Sequence, residues 1–285
     1  MNRVLVTGAR GFTARYVLPL LKGQGFDVRC LTSVDCDIRD FSALRDALAP
    51  IKPNYVVHLA GTPNLPDSEH DTVFSVNVQV TVNLLEACER LAERPKKIIL
   101  VSSSYVYGDT GLGPASEDAP LRPRSAYGKS KCEMERAAAR WFDRMSVLLV
   151  RPFNYTGVGH GRRFLVPKLV RAFCERAADV SFVDPNITRD YSDVRWVASV
   201  YVDLLKRQES GLAINVCSGV GTPLPSLVAL LERLTGHSPS ARPGQASGRK
   251  TALVGNPALL LSLLGKPSPH SLIDTLRWML QSEDQ

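Results

Sequence analysis

The residues Tyr127-Gly128-Lys129-Ser130-Lys131 open a helical pattern, and their four-residue spacing puts Tyr127 and Lys131 on one face, a turn apart. A phenol with an ordinary pKa of about 10 is a poor proton shuttle at neutral pH. A neighbouring ammonium favours the phenolate and brings that value toward the working range. The pair therefore suits proton transfer to or from an oxygen, although the same spacing also describes a plain neighbour pair on an exposed helix. Earlier in the chain, Ser102-Ser103-Ser104-Tyr105-Val106-Tyr107-Gly108 follows a strand and offers three adjacent hydroxyls to a reacting oxygen.

A second constellation lies at the start of the chain. A strand at 4–6 runs into Thr7-Gly8-Ala9-Arg10-Gly11-Phe12-Thr13-Ala14, and a helical pattern follows. Glycine is needed where a backbone turns tightly and approaches a pyrophosphate seated on a helix N-terminus. Gly8 and Gly11 fit those places, and Ala14 fits where the helix packs on the strand. An ordinary strand–helix turn is the bland alternative; the position between strand and helix favours a dinucleotide site.

These groups need a scaffold. Short β-branched runs at 3–6, 27–31, 55–59, 98–102 and 147–150 read as strands buried on both faces. Helical patterns at 13–22, 41–47, 73–90 and 127–142 alternate with them. That alternation predicts βαβ units, and so an α/β fold with a doubly wound parallel sheet. Beyond Arg151 the pattern loosens: helices are expected at 164–176, 194–207, 224–234 and 271–281, a short strand at 214–216, and a loop at 236–249. The expected division is 1–155 for the main part of the dinucleotide domain, with later segments returning to it, and 156–285 mainly for a smaller α/β substrate lobe.

The chain has 285 residues, 44% hydrophobic and 22% charged, which fits a globular protein and excludes disordered, collagen-like and coiled-coil classes. No apolar run is long enough for a membrane span, and MNRVLVTG enters a strand at once, leaving no room for a signal peptide. The six cysteines, at 30, 36, 88, 132, 174 and 217, form no C-x-x-C pair. They read as small buried hydrophobes in a reducing compartment, with a cytoplasmic location and no metal expected. A net charge of +7 calls for an anionic partner. The basic residues are spread rather than clustered, so a phosphorylated small molecule is expected and nucleic acid is not.

The spacing G-x-x-G followed by Phe12, the serine element ending V-Y-G, and Tyr127-x-x-x-Lys131 stand in the order of the extended short-chain dehydrogenase/reductase family, the NAD-dependent epimerases, dehydratases and reductases of nucleotide sugars, which the chain resembles over nearly its whole length. The resemblance implies a Rossmann-type fold. It places Ser103, four residues before Tyr107, as the catalytic hydroxyl beside Tyr127 and Lys131, with Lys131 also holding the nicotinamide ribose. Gly8, Arg10, Gly11, Phe12, Thr32, Asp37, Ile38, Leu59, Ala60, Gly61, Ser102, Tyr127, Lys131 and Pro152 would line the cofactor, Asp37 accepting from the adenine amino group. His58 reads as a satisfied core histidine, and Asn77 as a support for the central strands.

Where NAD-preferring members end the second strand in an acid, this chain has Leu31-Thr32-Ser33, and Arg10 and Arg29 are cations in reach of a 2′-phosphate, so NADP is expected and NAD possible. For the substrate, the resemblance implies Ser103, Ser104, Tyr127, Asn154 of Arg151-Pro152-Phe153-Asn154, Val166, Arg189 of Thr188-Arg189-Asp190-Tyr191-Ser192-Asp193-Val194, and Arg249, with Arg242 as fallback. A buried ion pair of Arg189 with Asp190 or Asp193 is the structural alternative. Trp196 stands where many relatives have an aspartate. The acids that dehydratases carry after the catalytic hydroxyl are replaced by Ser104 and Tyr105, so a dehydratase is not expected.

The wording is nearest to GDP-mannose 4,6-dehydratase and GDP-6-deoxy-4-keto-mannose reductase. These implications converge on an NADP-dependent 4-keto reductase of a GDP- or dTDP-linked 6-deoxyhexose in deoxysugar biosynthesis. A C4 epimerase with a retained cofactor is the rival, and a catalytically idle dinucleotide module is the other. A homodimer built on helices 73–90 and 127–142 is implied by the resemblance alone.

Overall fold

The computed structural model describes residues 2–61, 73–111, 113–182, 184–243 and 250–283. Strands β1 (Arg3–Thr7), β2 (Asp27–Leu31), β3 (Tyr55–His58), β4 (Lys97–Val101), β5 (Val147–Pro152) and β9 (Leu212–Val216) form one sheet in the order β2-β1-β3-β4-β5-β9. Every pairing in it is parallel. The chain leaves β1 for β2 on one side and returns to β3 on the other. The carboxyl ends of β1 and β3 therefore diverge into the crevice where doubly wound sheets place their ligands.

Helices cover both faces because the strands are apolar on both. Against one face pack α1 (Ala14–Gly23), α6 (Val194–Leu204) and α8 (Ala258–Leu264), with Val17, Leu21, Val197, Tyr201 and Leu260 fully buried. Against the other pack α2 (Phe41–Ile51), α3 (Val80–Glu89) and α4 (Ala126–Ala138), through Leu44, Leu48, Leu84, Leu85 and Met134. Asp40 caps α2 by accepting from the Ser42 and Ala43 N–H groups at 2.8 and 3.2 Å. The helix expected over 41–47 runs on to Ile51, carrying Pro50 in its last turn, and Lys52 in the left-handed region ends it.

The looser second half holds more strand than its pattern suggests. β6 (Asn154–Thr156), β8 (Ile187–Asp193), β10 (Gly221–Pro223) and β12 (Thr251–Leu253) form a small sheet around β8. β7 (Asp179–Phe182) pairs in parallel with β11 (Ser240–Pro243). The expected loop at 236–249 is thus corrected: 240–243 is a strand, made by its partner β7 rather than by local propensity. The polar run of β8 hid it too. Asp190, fully buried there, accepts from Ser218 N and Oγ (2.9 and 2.6 Å), Gly219 N (2.9 Å) and Gly255 N (3.3 Å). Helices α5 (Leu165–Cys174), α7 (Leu224–Thr235) and α9 (Leu272–Glu283) close this lobe around Leu169, Phe173, Leu227, Leu231 and Leu276.

The helix expected over 73–90 is interrupted by a π-helical stretch at Ser75–Gln79, which swings Asn77 toward α4. No helix among the described residues is long and apolar enough to cross a membrane. Cys88, Cys132 and Cys217 are buried as expected, but Cys36 and Cys174 are half-buried and Cys30, on the edge strand β2, is exposed.

Candidate active site

The turn after β1 is built from backbone. Gly8 has φ +66°, and a Cβ there would come 2.6 Å from the Ala60 nitrogen, so the turns after β1 and β3 touch where only glycine fits. Thr7 fixes the same contact from below, its hydroxyl 2.7 Å from His58 Nδ1 and accepting from Ala60 N at 3.3 Å. His58 is fully enclosed, its other ring nitrogen 3.2 Å from the Thr81 hydroxyl. Burial, with Lys131 adding to it, pulls its pKa down to about 3, so it is the neutral core histidine its setting requires.

Helix α1 starts beyond Gly11 with no side-chain cap and no acid in its first turn. Thr13, which could have capped it, bonds the Tyr155 phenol instead at 2.8 Å. An uncapped helix start beside a glycine turn favours an anion. Gly8, Gly11, Phe12, Leu59, Gly61 and Lys131 line a cavity of about 630 Å³ at this point. Gly61 leaves room for the Asn77 side chain, since a Cβ there would sit 3.0 Å from its Oδ1, while Lys131 Nζ would be in ordinary contact at 3.4 Å.

Arg10, Thr32, Asp37 and Ile38, expected at the cofactor, are not among the residues lining this cavity. Arg10 is exposed and has no hydrogen-bond or ion-pair partner among the described residues, whereas Arg29 is held by Asp27 at 3.0 Å. Asp37 is gripped by Arg39 at 2.7 Å, which lowers its carboxyl to about 2. Ile38 packs against the core under α2. The strand end lacks an acid, yet Asp35 folds back so that the Thr32 N–H and hydroxyl both donate to it at 2.7 Å.

Helix α4, capped by Ser125 accepting from Gly128 N at 3.1 Å, presents Tyr127 and Lys131 to the crevice. Lys131 is 5% exposed; its amine donates to the Val101 carbonyl at 2.8 Å and lies 5.9 Å from the Tyr127 ring centre. Burial lowers Lys131 to about 8, with Glu135 holding it up. Burial also pushes the Tyr127 phenol up, Tyr155 adds to this, and a hydrogen bond from Ser103 opposes it. The lowering expected from Lys131 does not enter this balance; desolvation dominates it, and Tyr127 keeps its proton. Ser103 caps the short turn at Ser104–Val106, accepting from Tyr105 N at 3.2 Å.

Of the three serines, Ser103 meets Tyr127 and Ser104 is buried at the cavity edge, while the Ser102 hydroxyl donates to Glu135. Glu135 pairs with Arg151 at 2.6 Å, both side chains almost wholly buried. Arg151 also donates to the Tyr107 oxygen at 2.8 Å, and Tyr107 donates to Asn215 at 2.8 Å. Asn77 donates to Ser130 at 2.9 Å and so ties the π-helical stretch to α4.

A second cavity of about 470 Å³ opens on the other side of Tyr127, lined among others by Ser103, Ser104, Pro152, Asn154, Val166 and Arg189. The Asn154 Oδ1 is buried without a hydrogen-bond partner. Arg189 makes no ion pair with Asp190 or Asp193. It donates to the carbonyls of Thr188 and Thr251 at 2.8 and 3.2 Å, while Asp193 holds Arg195 at 2.7 Å. Trp196, in the place of the relatives' aspartate, is a core residue. Arg249 lies outside the described residues, and Arg242 is placed only by its backbone, opposite Ser181 in β11. Val101, Tyr127, Tyr155, His160, Arg163 and Phe164 line both cavities. Among the described lining residues there are cations in each cavity and no carboxylate in either.

Glu135, Arg151, Tyr155, His160 and Arg163 were not singled out by the sequence. Only Glu135 left a signal, standing four residues after Lys131 on the same helix.

A model of the NAD dependent epimerase/dehydratase family matches residues 4–217. The chain is 27% identical over 268 residues to GDP-6-deoxy-D-talose 4-dehydrogenase of Aggregatibacter actinomycetemcomitans, covering 92% of this chain and 91% of that protein. It is 30% identical over 242 residues to GDP-6-deoxy-D-mannose reductase of Pseudomonas aeruginosa, covering 81% and 79%. The structure of RMD from Pseudomonas aeruginosa complexed with NADPH superposes with a TM-score of 0.89 at 26% identity, covering 99% of this chain and 98% of that one. The chain belongs to the NAD dependent epimerase/dehydratase family.

Proposed function

From that membership and this geometry we propose that the protein is an NADP-linked oxidoreductase that reduces the C4 ketone of a nucleotide-activated 4-keto-6-deoxyhexose. The observation that carries the reading is the placement of Tyr127 on the wall shared by two cation-lined cavities, with Ser103 and Lys131 beside it. The glycine turn and uncapped α1 fit a dinucleotide, and a bound nicotinamide cofactor supplies the hydride. Residues 1–155, joined by α6, β9 and α8, act as the cofactor half, and most of 156–285 as the substrate half.

Ser103 donates to the ketone oxygen and holds it beside Tyr127. Tyr127, kept protonated by burial, gives its proton to that oxygen as the C4 hydroxyl forms. Lys131 stands behind it as a buried cation, locked to the Val101 carbonyl, and favours the phenolate left behind. Arg189 serves the substrate's diphosphate, since among the described residues its fork has only neutral carbonyl and hydroxyl partners. No carboxylate stands among the described lining residues to serve as the base for eliminating water, which supports a reductase over a dehydratase. Unpartnered Arg10 supports NADP over NAD, and Asp35 is turned onto its own loop.

Loss of NADPH absorbance with purified protein and GDP- or dTDP-4-keto-6-deoxyhexose, in step with a 4-hydroxy product, is the expected result. No loss with either ketone overturns the reading.

A further inference from the structure

Segment 157–164 forms the wall between the two cavities, and its rings stack. Phe12 of the glycine turn lies 4.5 Å from the His160 ring at 10°, and His160 lies 4.3 Å from Phe164 at 26°. The Thr156 hydroxyl sits 3.2 Å from His160 Nδ1 and fixes the middle ring. The Arg163 guanidinium is laid over the end of this stack, 5.1 Å from the Phe164 ring centre. The stack is uncharged, because burial and the neighbouring Arg163 pull His160 down to about 4.

Three of the five described lysine and arginine side chains lining the cavities are already engaged; Arg15, which lines only the cavity beside the glycine turn, has no side-chain hydrogen-bond or ion-pair partner among the described residues. Lys131 bonds the Val101 carbonyl, Arg162 pairs with Glu283 at 3.5 Å, and Arg189 bonds two carbonyls. Arg163 alone among the described cations lines both cavities, and it has no carboxylate partner among the described residues. The Phe164 ring face takes none of the guanidinium N–H donors, which remain available to grip phosphate oxygens in pairs.

We propose that Arg163, presented by the Phe12–His160–Phe164 stack, binds a diphosphate ester at the wall between the cavities. The ester is that of the nucleotide sugar or that of the dinucleotide; the choice of these two sources rests on the function proposed above. Arg163 thereby adds a phosphate contact from the loop before α5 to the one that Arg189 offers from β8.

The test is calorimetric titration of the full-length wild type, Arg163→Ala and Arg163→Gln with GDP, dTDP and NADPH in separate experiments. Loss of a charge-assisted contact weakens the ligand it served about ten- to a hundred-fold. Arg163→Gln, which keeps much of the side chain and removes the charge, reproduces the loss, and the deficit narrows in high salt as the wild type loses its electrostatic advantage. Weakening confined to a nucleoside diphosphate assigns Arg163 to the sugar nucleotide, and weakening confined to NADPH assigns it to the cofactor. Unchanged affinity in every arm, or equal weakening in all, overturns the proposal. A wild type that binds these nucleotides but reduces no ketone defeats the reductase reading and leaves the assignment of Arg163 intact.

Discussion

The two cavities share a wall but are built from different material. The groove beside β1 and β3 is a backbone construction: Gly8 against Ala60, an uncapped α1, and Gly61 tight against Asn77. The cavity toward the lobe is made of side chains brought from distant segments: Ser103 from the turn after β4, Asn154 from β6, Val166 from α5 and Arg189 from β8, a strand whose Asp190 is satisfied by loops far along the chain. A backbone site tolerates almost no added atom. A side-chain site tolerates replacement but loses whatever chemistry the replaced group carried.

The sharpest probe of that contrast is Tyr127→Phe, which keeps the ring and removes only the hydroxyl that carries the proton. Turnover should fall about 10²- to 10⁴-fold while NADPH affinity is retained. A variant that keeps more than about a tenth of wild-type turnover would remove Tyr127 from the acid role.

Gly8→Ala tests the other half. It forces a side chain into the left-handed region, at a cost of roughly 1–2 kcal/mol, and into the Ala60 backbone as well. NADPH binding should weaken at least about ten-fold, with the melting temperature lowered, while GDP binding holds. Equal damage to both ligands would show that the two cavities do not respond separately.

The gentlest probe is pH, through one histidine in each region. His58 under the glycine turn and His160 in the shared wall have folded-state pKa values of about 3 and about 4, below the unfolded value of about 6.5. Between those limits the unfolded chain binds more protons, so stability is complete above pH 6.5 and declines as pH falls, by about 1.4 kcal/mol for each unit of each shift. His160→Gln should remove the part lost between 6.5 and about 4 and leave that of His58. Denaturant titrations across that range with an unchanged slope in the variant would contradict this.

The same contrast explains what could be read in advance. A backbone turn leaves its demand in the local sequence, so Gly8 and Gly11 were legible, and so was Tyr127 with Lys131, because one helix turn sets their spacing. Ser103 was legible only through its offset from Tyr107. The strand 187–193 was not, because its polar residues look exposed until Ser218, Gly219 and Gly255 arrive to bond Asp190. Strand 240–243 exists through its pairing with β7, which no local pattern announces. The ring stack was equally silent, since Phe12 and His160 meet only after the sheet has closed.

Beneath the serines, Ser102, Glu135, Arg151, Tyr107 and Asn215 form one buried chain of bonds running through β4, α4, β5 and β9. A keystone of this kind ties the fate of the reaction to the fate of the whole molecule. The ledge that carries Ser103 and the helix that carries Tyr127 cannot loosen separately without stranding a charge in the interior. Warming such a protein should not produce a long twilight of folded but silent molecules; chemistry and architecture would fail in the same step.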